Sequence, residues 1–255
     1  MHRVLFQIGS ITVYSYGVFL ALAFVTGTLL ARYRYRERYK NPDIILDFVL
    51  AALIGGIIGA RLFYVIGHWK DFAQSPGKIF SLNMEGLVFY GGLILGLGLT
   101  LLVGYLKKQR FWDVMDLAGL CVPPALAIGR IGCLLNGCCY GKPTSLPWGI
   151  TYPMSTAILG PRHPTQIYEL VLDLALFAIL WSKRDSFSRK GTIFFSFLMG
   201  YSAIRFFVEF FREHANPKAA LFFQLLSVFF FLLSAIVLLF RYRILPSAKG
   251  GSDLL

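Results

Sequence analysis

The sequence predicts an all-α integral membrane protein, a single seven-span domain over residues 1–255, and three observations carry that prediction. Of the 255 residues, 56% are hydrophobic and only 15% charged, with a mean hydropathy of +0.64. A soluble domain has about 45–50% apolar and roughly 25% charged residues. Seven apolar stretches approach the length of about 20 residues that a bilayer-spanning helix needs. The Lys and Arg residues between those stretches are unevenly divided between two alternating sets, as cytoplasmic and exterior loops are. The same composition excludes a disordered chain, and four Cys in 255 residues exclude a disulfide-rich secreted one.

In order, the stretches are 14–32, 44–66, 87–106, 113–134, 166–182, 191–211 and 220–240. The first opens on Tyr14 and Tyr16 and runs into the basic segment Arg32–Lys40. The second carries Arg61 toward its far end, and Tyr90 opens the third. The fourth holds Asp116, Cys121 and Arg130, and the fifth, the shortest, begins inside the polar run His163–Glu169. The sixth contains Arg205 and Glu209. Residues 135–165, rich in Gly, Pro and Thr, predict a small exterior cap between the fourth and fifth helices. No cleavable signal peptide is expected, because the first apolar stretch is long and nothing soluble follows it. The tail from Pro246 is expected to be mobile.

One set of inter-span segments holds Arg32, Arg34, Arg36, Arg38 and Lys40; Lys107, Lys108 and Arg110; Lys183, Arg184, Arg189 and Lys190; and Arg241, Arg243 and Lys249. The other holds Arg3, Lys70, Lys78, Lys142, Arg162, Arg212 and Lys218, and Arg61, Arg130 and Arg205 fall inside spans. The richer set marks the cytoplasm, so the N-terminus is expected outside and the C-terminus inside. The net charge of +12 is then explained by loops facing an anionic inner leaflet, with no nucleic-acid partner.

Ionisable groups inside the hydrocarbon are costly and mark function. Arg130 lies 17 residues after Asp113, about 25 Å along a helix axis. It therefore falls, like Arg61, Arg205 and Glu209, in the outer part of its span. Arg205 and Glu209 are four apart and share a helix face. The arginines, with Glu169 and Glu209, predict a cationic pocket for an anion at the outer leaflet, such as a phospholipid head group, since the planar guanidinium fork suits phosphate. The alternative is that they pair with carboxylates or carbonyls and only hold helices together. It weighs most for Arg61, which no motif surrounds.

The fourth span ends in GRIGCLLNGCCYGKP from Gly129. Downstream stand HPTQIYE (His163–Glu169) and GYSAIRFFVEFFRE (Gly200–Glu213), and upstream SYG (Ser15–Gly17) and GLVFYGG (Gly86–Gly92). Together and in this order they resemble the prolipoprotein diacylglyceryl transferase family, which acts first in bacterial lipoprotein maturation. The resemblance implies transfer of diacylglyceryl from phosphatidylglycerol to the lipobox cysteine of a preprolipoprotein, giving a thioether and glycerol phosphate. It implies a location in the bacterial inner membrane, with the active site toward the outer leaflet. By the same resemblance Arg130 and Arg205 match essential arginines, with Tyr201 and Glu209 on the helix of the second. Tyr16 matches the first-span tyrosine, Asn136 and Gly141 the later residues of the glycine-rich block, and Asp116 an acidic residue of span four. Gln166 and His163 belong to HPTQIYE and, with Arg61, are expected to bind substrate.

The chemistry of the residues agrees. Arginines at the phosphate oxygens would stabilise a departing phosphate ester. A cationic pocket would also lower the pKa of an incoming thiol from its usual value of about 8.5. Tyr90 stands where many members of the family have His; tyrosine, with a pKa near 10, is a poor base unless ionised. Glu209, His163 or a water is left as the base. Cys133 and Cys138 also depart from the family pattern, in which Asn and an acidic residue are usual.

Adjacent cysteines without a second CxxC or paired His are a poor zinc pattern. A disulfide from Cys133 to Cys138 or Cys139 is one expectation, and no metal or other cofactor is expected. Two rival readings are a paralogue with a different acceptor and an anion transporter. The absence of an internal repeat speaks against the second.

Overall fold

The computed structural model describes residues 2–9, 11–38, 42–73, 75, 77, 79, 88–152, 160–187, 189–214 and 217–244. Lys40, Lys78, Lys249, the residues Gly86 and Leu87 and the tail from Pro246 lie outside them. The elements in order are β1 (Val4–Ile8), β2 (Ile11–Tyr14), α1 (Ser15–Arg38), α2 (Ile44–Gly67), α3 (Trp69–Ala73), α4 (Phe89–Leu106) and α5 (Phe111–Asn136). There follow β3 (Ile150–Thr151), β4 (Pro161–Arg162), α6 (Thr165–Ser182), α7 (Thr192–Glu209) and α8 (Pro217–Ile244).

Six of these helices, α1, α2, α5, α6, α7 and α8, are long and apolar enough to cross a membrane. The expected third span is a shorter apolar helix, Tyr90–Leu106. The protein is therefore a helical, multi-pass membrane protein, because a helix satisfies its own backbone hydrogen bonds where no water is available. Three helices, α1, α5 and α8, run clearly past their expected lengths, α5 covering Phe111–Asn136. The basic residues Arg32, Arg34 and Arg36 continue α1 instead of forming a loop, and α8 starts at Pro217, where a missing N–H costs nothing. The sequence reading also missed the hairpin β1–β2, in which Ile8 pairs with Ile11 and Gln7 with Thr12.

The chain forms two compact units, Met1–Ala31 with Met115–Leu255, and Arg32–Val114. In the second, α2 packs on α4 through glycine. A Cβ added at Gly55 would stand 2.7 Å from the Leu95 carbonyl oxygen, and one added at Gly91 would meet the Gly59 carbonyl and Phe63. Only hydrogen at these positions lets the two backbones approach so closely. Val88 N–H donates to the Ala60 carbonyl at 3.0 Å, at the start of the same contact. Tyr35 donates to Gln109 Oε1 at 2.9 Å.

In the first unit α7 packs against α6 and α8. Asp116 of α5 caps α7: its carboxylate accepts from Gly191 N–H at 2.5 Å and Phe194 N–H at 2.9 Å. These are donors that a helix start otherwise leaves unpaired. The acidic residue of span four thus sets the position of α7 on α5. Residues 137–152 and 160–164 join α5 to α6, with β3 and β4 antiparallel, Ile150 opposite Arg162. Residues 153–159 of the expected cap lie outside the described ones.

Candidate functional site

The first unit buries several charged side chains and leaves large apolar ones exposed, as a protein surrounded by lipid does. Glu169, Asp173 and Glu209 are buried, while Phe222, Phe229, Leu232 and Phe240 of α8 are exposed. The polar centre is built on the first turn of α6, the last turns of α5 and α7, and the residues after α7.

Glu169, 1% exposed, receives three guanidinium groups. Arg205 donates to its Oε1 at 2.7 Å and Arg212 to the same oxygen at 3.2 Å, while Arg130 pairs with Oε2. Arg205 also reaches Glu209 Oε2 at 3.0 Å, across the four-residue spacing read from the sequence. His214 Nε2 pairs with the other oxygen of Glu209. Three guanidinium groups converging here offer the forked donors that suit an anionic ligand. Asp173, one turn along α6 from Glu169, is completely buried, and among the described residues neither of its oxygens has a hydrogen-bond partner. Glu169, Arg130 and Arg205 all act on it electrostatically. Tyr201 stacks on Phe197 and lies within the field of Arg205, Glu169 and Arg130.

Tyr16, at the start of α1, is near Cys133, Cys138, Cys139 and Arg130 in electrostatic terms. It packs where α5 has Gly132: a Cβ there would come to 3.4 Å from Tyr16 Cα and 3.0 Å from Phe19 Cβ. Ser15 anchors the same helix start, its N–H donating to the Arg3 carbonyl at 3.0 Å.

The loop after α5 is tied down at several points. Gly141 N–H donates to the His163 carbonyl at 2.9 Å, His163 N–H to the Lys142 carbonyl at 3.0 Å and Lys142 N–H to the Phe211 carbonyl at 2.8 Å. Gly141 also bridges to Arg212. A Cβ at Gly141 would stand 2.7 Å from His163 Cβ and against the Phe211 carbonyl, so this position requires glycine. Gln166 uses both ends of its amide here. It accepts from the Tyr152 hydroxyl at 2.9 Å and donates to the Cys138 carbonyl at 2.6 Å. Thr165 donates to the Cys139 carbonyl at 2.6 Å. Burial pushes the Tyr152 phenol up to about 12, so it remains a donor at any ordinary pH. His163 Nδ1 is 3.0 Å from the Tyr168 hydroxyl, which also accepts from Trp148 Nε1 at 2.9 Å.

The four cysteines are free, where a disulfide at Cys133 was one expectation. Cys139 has a positive φ of 64°. Hydrogen bonds from the Cys133 and Cys138 thiols, then the charges of Arg212 and Arg130, hold its thiol below the usual range. The Asn136 amide is hydrogen-bonded to Cys138.

Arg61 and Tyr90 belong to the other unit. Arg61 donates to the Ile79 carbonyl at 3.3 Å and lies over the Phe72 and Tyr64 rings; Tyr90 is exposed at the start of α4. Within the first unit, therefore, Arg130, Arg205 and Glu209 come together with Glu169. Gly141, His163 and Gln166 order the adjoining loop. Two members of the charged centre escaped sequence reading. Arg212 was counted with the exterior loops, although it follows Arg205 by seven residues, two helical turns, which was the available signal. His214 follows a helix end and carries no periodic signal.

The prolipoprotein diacylglyceryl transferase family model matches residues 3–240. The chain is 36% identical over 259 residues to the phosphatidylglycerol–prolipoprotein diacylglyceryl transferase 2 of Clostridium perfringens, covering 99% of this chain and 100% of the relative. It is 35% identical to the phosphatidylglycerol–prolipoprotein diacylglyceryl transferase of Clostridium tetani, covering 96% and 98%. With the enzyme of the same name from Bordetella avium it shares 38% over 218 residues, covering 82% and 81%.

Proposed function

The chain belongs to the prolipoprotein diacylglyceryl transferase family, and from that premise we propose that it transfers diacylglyceryl from phosphatidylglycerol to the lipobox cysteine of a preprolipoprotein. The thiol sulfur attacks the glyceryl carbon that bears the phosphate, the carbon–oxygen bond breaks, and glycerol phosphate leaves with the electron pair. The thiol proton passes to a base. The observation that carries this reading is the buried junction of Arg130, Arg205 and Arg212 on Glu169.

Arg130 and Arg205 stabilise the charge that gathers on the departing phosphate ester, as fixed donors do in a site shielded from water. Glu169 and Glu209 hold the guanidinium planes in place before substrate arrives. Glu209, which faces Arg205 and His214, is the residue assigned as proton acceptor. Tyr16, Tyr201 and Asn136 line the approach to Arg130 and the cysteines, and Gly141, His163 and Gln166 shape the loop that receives the peptide. Tyr90 is assigned to catalysis of the same reaction from its place in the GLVFYGG motif, and Arg61 to substrate binding from its charge inside an apolar span.

The distribution of Lys and Arg supports one seven-span domain over 1–255, with α4 as the third span, the N-terminus outside and the C-terminus in the cytoplasm. Residues 135–165 then form an exterior cap, and the charged centre faces the outer leaflet of the inner membrane. The test uses purified protein in phosphatidylglycerol vesicles with a lipobox peptide, read by mass spectrometry. The peptide should gain diacylglyceryl on its cysteine, and Arg130→Ala should abolish the gain. An unmodified peptide with well-folded protein would refute the assignment.

A further inference from the structure

Cys133 lies in the last turn of α5, and the chain then turns back on itself: Cys138 N–H donates to the Cys133 carbonyl at 3.1 Å. The turn brings three sulfurs together, Cys133, Cys138 and Cys139, all within 4.8 Å of one another. Bonds that do not involve sulfur fix it. The carbonyls of Cys138 and Cys139 are held at 2.6 Å each by the buried Gln166 and Thr165, on the first turn of α6. Cys139 adopts a left-handed backbone, φ 64°, which a side-chain-bearing residue takes only when its surroundings impose it. The C-x4-C-C spacing hides this grouping in the sequence, because the turn and not the spacing supplies it.

We propose that Cys133, Cys138 and Cys139 form a three-thiolate site for a soft divalent metal ion of the zinc class. A zinc–thiolate bond is about 2.3 Å, and three such bonds place the sulfurs about 4 Å apart, so side-chain rotation alone closes the present arrangement. The donor set contains no carboxylate, and hard cations that require oxygen are excluded. Each thiol gives its proton to solvent on ligation, so three thiolates and one divalent ion carry a single net negative charge. The guanidinium groups of Arg130 and Arg212, which act on this cluster, neutralise that complex. The Asn136 amide beside Cys138 is the kind of outer partner that orients a ligand. A three-ligand set leaves one position on the metal open. The inference rests on the three sulfurs and stands or falls independently of the transfer reaction.

The test is a titration of the full-length protein, reduced and chelator-stripped in detergent micelles, with Cd(II) as probe. The ultraviolet thiolate-to-cadmium charge-transfer band should saturate at one equivalent, and Zn(II) should displace it. Single replacement by Ser of Cys133, Cys138 or Cys139 should weaken binding at least about tenfold, and the triple variant should lose the band. Cys121→Ser, deeper in α5 and outside the cluster, should leave it unchanged. Circular dichroism checks that each variant is folded, and the loop changes Cys138→Ala and Cys139→Ala provide the same test without altering the helix. No band from fully reduced protein would overturn the proposal, as would a band that survives in the triple variant.

Discussion

Arg130, Arg205 and Arg212 meet on one buried carboxylate, and the cost of removing either side can be estimated. Glu169→Gln would leave three guanidinium groups on a neutral amide, and an uncompensated buried charge costs about 3–5 kcal/mol. The expected result is a lower unfolding midpoint in detergent together with lost transfer. Arg130→Lys keeps the charge but loses the fork, and a drop of about a hundredfold in turnover is expected, the scale of losing one fixed donor to a developing oxyanion. Unchanged turnover would remove Arg130 from the reaction. Cys139 offers a third prediction. Because its neighbours hold its thiol below the usual range, metal-free protein should be alkylated by iodoacetamide at Cys139 at a lower pH than at Cys121, as peptide mass mapping would show. Much of this centre was legible in the sequence, because a charge in an apolar run must have a reason. Arg212 and His214 were not, since past the helix end a basic residue looks like any loop cation.

Among the elements, Asp116 shows how a half-buried carboxylate can serve architecture. It closes two N–H groups at the start of α7, and α7 carries both Arg205 and Glu209. Asp116→Ala should cost about 1–2 kcal/mol, seen as a lower midpoint, and should shift the arginine helix enough to reduce turnover. Asp116→Asn, which keeps an acceptor, should lose less. The sequence placed Asp116 near the inner end of its span and left its partner unnamed, because a cap between distant segments has no local signature. The same limit applies to the hairpin β1–β2, whose Phe, Ile and Val residues are too few to show a period. Helix lengths were read more accurately, since an apolar run of bilayer length admits few alternatives. The basic continuation of α1 was the clearest exception, as Arg is a good helix former and nothing in the run breaks the helix before Arg38.

For the described residues as a whole, the carboxylates Glu169, Asp173 and Glu209 are buried beside an apolar core, and phenylalanine and leucine cover the outside of α8. Lipid is the solvent for those side chains, and it explains why a chain with so little charge devotes buried positions to it. The charge pattern then gives a prediction for the intact protein. A fluorescent protein fused after Leu255 should mature and fluoresce in the cytoplasm, while a periplasmic reporter at the same point should be silent. The opposite result would reverse the orientation. Composition alone was enough for the class of protein, because hydropathy is a sum over many residues, whereas the charged centre depends on single contacts between segments far apart in the chain.

Arg212 belongs to two structures at once. Its main chain pairs with Gly141 in the loop, and its side chain grips Glu169 among the arginines. The loop therefore cannot lift without pulling on the carboxylate that steadies Arg130 and Arg205. A peptide that pries the loop aside would slacken the grip on a phosphate, and a phosphate drawing on Arg212 would tighten the loop. Two substrates that never touch the same atom would thereby set the order of one another's arrival and departure, as two keys do when they turn a common bolt.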